Sequence, residues 1–142
     1  MGIKTASIKQ LEGITFAGKA DSGHWVMMDG PEGFGGSNAA IRPKELLLLS
    51  LGGCTGSDVA SILSKKRIKT DGFEINLTAD STEEHPQVFT KINIEYVFYG
   101  QDLKESDLER AIELSLTKYC GVTAMLQKAM EITHTLKISS KK

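Results

Sequence analysis

The segment Lys44–Lys66 constrains this chain more than any other. It is apolar on nearly every face from Leu46 to Leu51, and again at Val59, Ile62 and Leu63. Pro43 opens it, at the helical position where a fixed φ and a missing N–H cost nothing. A helix without a polar side must be covered all round, by its own domain or by a second chain. With 142 residues the chain is expected to be one domain, residues 1–142, large enough to hold a core without disulfides or metals. One sheet gives such a helix too little cover, so a homodimer is expected.

The rest of the chain supplies the sheet. "ASIKQLEG", "ITFAGKA" and "HWVMMDG" alternate loosely between apolar and polar residues and are punctuated by glycines, which predicts three strands. Asp29–Pro43 holds five glycines or prolines within Gly30–Gly36 and is too long for a passive connection, so a functional loop is expected. "GFEINLTAD" and "QVFTKINIEYVFYG" predict two more strands, with Ile92, Ile94, Tyr96 and Phe98 on one face and "STEEHPQ" as their hairpin connection. "DLKESDLERAIELSLTKYCG" reads as an amphipathic helix capped by Ser106 with Glu109 as its capping-box partner. It breaks near Cys120 and Gly121, "VTAMLQKAM" resumes as a short helix, and "EITHTLKIS" closes the chain as a strand. The order β-β-β-α-β-β-α-α-β has no βαβ rhythm and predicts an α+β fold with mainly antiparallel sheets and two main helices.

Composition narrows the function classes. A net charge of −1, without a basic stripe, gives nucleic acid no phosphate-binding surface. The run Leu46–Leu51 is broken by Ser50 and falls short of the roughly 20 residues of a membrane span. The first ten residues lack an apolar signal region, so a cytoplasmic location is expected. In a reducing compartment Cys54 and Cys120 are separate thiols until something oxidises them.

Cys54 lies in the middle of the apolar helix, yet Gly52, Gly53 and Gly56 surround it. Each glycine costs up to about 1 kcal/mol against alanine in a helix interior, so three around one thiol suggest that something approaches closely there. Burial alone would raise a thiol's pKa and leave it inert, so reactivity demands a nearby cation or donor. The arginines are Arg42, Arg67 and Arg110, and Arg42 stands at the mouth of the helix. Cys54, Cys120, His24, His85 and His134 show no paired zinc-ligand spacing, so no metal or other cofactor is expected. "GPEGFGGSN" fits no phosphate-binding pattern.

"RPKELLLLSLGGC", a helix, and a second cysteine in "KYCGVTAML" together resemble the OsmC/Ohr family of thiol-dependent peroxidases. The string "GGSNAAIRPKELLLLSLGGCTGSDVASIL", with "EEHPQVFTKINIEY" and "AIELSLTKYC", looks most like its YhfA-like branch. The resemblance covers essentially the whole chain and implies an intertwined homodimer with its sites at the subunit interface. It implies Cys54 as the peroxidatic thiol and Cys120 as the resolving one, acting on organic hydroperoxides and recycled by a dithiol, lipoyl-type in some members. It also implies an arginine–glutamate pair that keeps the first thiol ionised. Here the usual glutamate position is Lys44, with Glu45 next to it, so Arg42 and Glu45 are the candidate pair. Along a straight helix Glu45 is about 13 Å from Cys54, which excludes contact within that helix. The alternative is a weakly active or non-enzymatic dimer that binds an apolar or thiol-reactive small molecule or senses oxidants. A purely structural dimer would leave both cysteines unexplained.

Overall fold

The computed structural model of the chain describes residues 2–140 and resolves into two compact units, one ending at Leu48 and the other starting at Leu49. In the first unit β1 (Ala6–Glu12), β2 (Thr15–Ala20) and β3 (Trp25–Met28) form an antiparallel sheet in that order. Every residue of β1 is exposed, as are Trp25, Val26 and Met27 of β3. Lys9 and Lys19 lie 5.9 and 4.9 Å from the centre of the Trp25 ring.

The glycine-rich segment after β3 is a built loop with Asp29 as its hub. Asp29 is only 2% exposed, and its carboxylate accepts the N–H groups of Gly30, Ser37 and Ala39 and the Thr15 hydroxyl, at 2.7 to 3.1 Å. The chain doubles back so tightly that a Cβ on Gly36 would collide with the Gly30 carbonyl oxygen. The loop's glycines thus serve this fold around a carboxylate. The Ala39 N–H, foremost among these donors, holds the Asp29 carboxyl below its ordinary value of 3.8 against the opposing effect of burial. A carboxyl lowered on folding contributes stability above its unfolded value and loses it as pH falls through the lowered one. Hydrogen exchange is expected to find the Gly30, Ser37 and Ala39 amides protected at pH 5, less so as acid approaches pH 2, and unprotected at both in Asp29→Ala.

In the second unit, β4 (Gly72–Ser81) pairs antiparallel with β5 (Phe89–Tyr99), and β5 pairs parallel with β6 (Glu131–Ser139). The expected α+β fold with mainly antiparallel sheets is observed. The one parallel pair arises because a helical crossover, not a hairpin, joins β5 to β6. Central β5 carries the predicted alternation: Ile92, Ile94, Tyr96 and Phe98 are wholly buried. Helix α1 (Glu45–Lys65) buries Leu51, Thr55, Val59 and Leu63, spaced by four along one face. Its apolar character extends well beyond Leu46–Leu51. The whole helix has a stretch of mean hydropathy 1.6 that satisfies the length and composition of a membrane span, yet only 28% of that stretch is buried. Leu47 and Leu49 are exposed.

The crossover differs from expectation at two points. Helix α2 (Glu105–Leu114) starts before Ser106, with Lys104 at the N-cap and no side-chain cap bond. Glu105 and Asp107 instead place negative charge at the positive end of the helix. Glu109 is drawn elsewhere, to His134 of β6, whose Nε2 lies 2.5 Å from its Oε1. The break before Cys120 is a π-helical turn, Ser115–Tyr119, closed by the Cys120 N–H on the Ser115 carbonyl at 2.8 Å. Such turns insert one residue into a helix and re-aim the residues beyond it. Cys120 then adopts an extended conformation and caps α3 (Gly121–Leu126).

Candidate functional site

The π turn brings Cys120 back against α1. The sulfurs of Cys54 and Cys120 and a carboxylate oxygen of Asp58 all lie within 4.8 Å of one another. Both cysteines are free thiols, Cys54 half-buried and Cys120 buried at 3% exposure. Asp58 stands one turn beyond Cys54 on α1, which puts both side chains on one helix face.

Cys120 caps α3 with its sulfur, accepting the Thr123 N–H at 3.3 Å. Burial pushes its thiol pKa up; the Thr123 hydroxyl and N–H pull it down, and Cys54 adds to the rise. No cation acts on it among the described residues. The Thr123 hydroxyl, although near enough to favour the thiolate, finds no hydrogen-bond partner of ordinary geometry, and Thr123 is 2% exposed.

Behind this cluster runs a buried chain of hydroxyls. Ser115 Oγ donates to Asp58 Oδ2 at 2.9 Å; Thr55 Oγ1 is 2.7 Å from Ser115 Oγ and 2.7 Å from Tyr96 Oη. A carboxylate only accepts, and each hydroxyl has one hydrogen, so the direction is fixed: Tyr96 to Thr55 to Ser115 to Asp58. Burial is the main reason that Tyr96 has its pKa pushed up to about 12, so it keeps the proton it donates. Tyr96 also packs edge-on against His134, the partner of Glu109. The carboxylate beside the thiols is therefore held through three side chains on three elements.

The close approach expected at the glycines around Cys54 is made by β4. A Cβ on Gly52 would stand 2.9 Å from Leu77 Cδ1, and one on Gly56 3.0 Å from Ile75 Cδ1. Gly52 and Gly56 thus let α1 settle onto β4, while a Cβ on Gly53 would meet nothing within 4 Å. Of the cluster, Asp58 lines a cleft of about 390 Å³, together with Ile62, Leu114 and Tyr119 and the polar Ser61, Lys65 and Lys66.

Arg42 and Glu45, in the first unit, touch each other in an unexpected way. The Glu45 carboxylate accepts the backbone N–H of Arg42 at 3.0 Å, and the Arg42 guanidinium donates to the Ala40 carbonyl and to Asn38 Oδ1. Sequence reasoning named both thiols but missed Asp58, Thr55, Ser115 and Tyr96. The available signals were the four-residue spacing of Asp58 from Cys54, and hydroxyls at positions whose periodicity marks them as buried.

The comparisons agree with this architecture. A family profile described as OsmC-like protein matches residues 35–135. Protein YhfA of Escherichia coli K12 is 43% identical over 133 residues, covering 94% of this chain and 96% of its own length. The crystal structure of a hypothetical protein from Aquifex aeolicus VF5 superposes with a TM-score of 0.84 at 32% identity, over 98% of both chains. An organic hydroperoxide resistance protein OsmC from Legionella pneumophila shares the fold, with a TM-score of 0.71 at 11% identity, over 96% of this chain and 98% of its own. The chain belongs to the OsmC-like protein family, and its resemblance to YhfA is borne out.

Proposed function

We propose that this protein is a thiol-dependent peroxidase that reduces organic hydroperoxides in the cytoplasm, with Cys54 peroxidatic and Cys120 resolving. The observation that carries this reading is two free thiols within 4.8 Å of each other, one half-buried and one buried, beside an aspartate that lines a cleft. Cys54 as thiolate attacks the outer peroxide oxygen; the O–O bond breaks, the alkoxide leaves and takes a proton, and Cys54 becomes a sulfenic acid. Cys120 then attacks that sulfur, its proton leaves with the hydroxyl as water, and a disulfide forms. The sulfurs need to close by less than about 3 Å to reach bonding distance. An external dithiol reduces the bridge through a mixed disulfide and is itself oxidised. Ile62, Leu114 and Tyr119 in the cleft suit an alkyl group. Arg42 and Glu45 are the proposed activating pair, and the working form is a homodimer that covers the exposed apolar residues of α1 and the first sheet. Purified protein is expected to turn over cumene hydroperoxide with dihydrolipoate, saturably and as a dimer in sedimentation; background turnover would overturn the reading.

A second reading, a dimer that binds an apolar or thiol-reactive small molecule without efficient turnover, is favoured by one observation. The Arg42 guanidinium is engaged by Ala40 and Asn38 of its own loop.

A further inference from the structure

We propose that the cluster of Cys54, Asp58 and Cys120 is also a metal site, built for one thiophilic divalent cation of the zinc class. Three atoms within 4.8 Å of one another all lie within about 2.8 Å of a common point, and zinc–sulfur and zinc–oxygen bonds of about 2.3 and 2.0 Å are reached by side-chain shifts of under about 1 Å. Two sulfurs and one carboxylate are a donor set that selects zinc over magnesium or calcium, and three protein ligands leave the fourth tetrahedral position open. These donors sit on two elements, α1 and the turn before α3, so their proximity is set by the fold and hidden in the sequence.

Two further observations point to a ligand here. Asp58 is oriented from behind by the Ser115 hydroxyl and Cys120 by the Thr123 N–H, the outer-shell arrangement that fixes metal ligands in place. The Thr123 hydroxyl is buried beside Cys120 with no hydrogen-bond partner of ordinary geometry, and a water on the open position of the ion would supply one. Binding displaces the thiol protons to solvent and forms two metal–sulfur bonds. The ion and the Cys54–Cys120 disulfide therefore exclude each other. Metal occupancy would hold the protein reduced and out of the peroxide cycle, and oxidation would release the ion.

The inference uses the same thiols as the peroxidase reading but does not depend on turnover. The test is anaerobic titration of the reduced protein with Co²⁺, followed by displacement with Zn²⁺. One ion per chain is expected, with thiolate-to-cobalt charge transfer and the strong visible bands of a tetrahedral centre. Cys54→Ser and Cys120→Ser should each lower the charge-transfer intensity by about half, and Asp58→Asn should weaken binding roughly 10- to 100-fold by analogy with loss of a ligand or its support. Circular dichroism identifies variants that have failed to fold. As a measurement on the unaltered protein, saturating Zn²⁺ should protect both thiols from alkylation. Absent charge transfer, or alkylation unchanged by Zn²⁺, would overturn the metal site. Turnover without a cobalt signal would sink this inference alone, and a cobalt signal without turnover would sink the peroxidase reading alone.

Discussion

Cys54→Ser is expected to lower hydroperoxide turnover by at least about a thousandfold, because a serine hydroxyl cannot replace a thiolate as nucleophile or form the sulfenic acid. Cys120→Ser should behave differently. It retains one rapid turnover per chain, accumulates Cys54 sulfenic acid and then cycles poorly, since the buried partner that closes the disulfide is gone. The asymmetry follows from the proposed roles and is consistent with burial, Cys54 being half-buried and Cys120 3% exposed. Rapid-mixing assays with one equivalent of hydroperoxide distinguish the two variants. Equal loss of the first turnover in both would show that the roles are not divided in this way.

Thr55→Val should be among the most destabilising of the nearly isosteric changes, at about 2–4 kcal/mol in denaturant unfolding. Thr55 is wholly buried and central to the hydroxyl chain, accepting from Tyr96 and donating to Ser115. Valine keeps the volume but leaves the Tyr96 hydroxyl without an acceptor and Ser115 without its donor, and each stranded buried group costs about 1–3 kcal/mol. Tyr96→Phe alone should cost only about 1 kcal/mol, because Thr55 still donates to Ser115. In the double variant the unsatisfied hydroxyl of Tyr96 no longer exists, so its cost should fall short of the sum by about 1 kcal/mol or more. Strict additivity would contradict the Tyr96–Thr55 hydrogen bond.

Where the pattern was local, the sequence was legible. The period-two run of β5 named Ile92, Ile94, Tyr96 and Phe98 as buried, and all four are. The helix from Glu45 was readable within a residue of each end from its apolar run and Pro43. What depends on tertiary contact was not legible. Glu109 has the right spacing for a capping box, but His134 takes its carboxylate, and no local rule weighs a partner 25 residues away. The π turn has no signature of its own in "SLTKY", although it carries Cys120 back to α1. Gly52 and Gly56 looked like space around a thiol because the sequence shows which residues are small, not which neighbour needs the room; Leu77 and Ile75 of β4 need it. The pairing of the two thiols across 66 residues came through resemblance, whereas the four-residue spacing of Asp58 from Cys54 marks a shared helix face but not the return of Cys120 to it.

The central claim is that Cys54 and Cys120 act as one redox pair, and intact-mass analysis under non-reducing conditions tests it most directly. After one equivalent of organic hydroperoxide the chain should lose two hydrogens, and peptide mapping should place a Cys54–Cys120 disulfide within the chain, reversible by dithiol. A mass gain of oxygen that persists in the unaltered protein, or a bridge between chains in place of the internal one, would contradict the account.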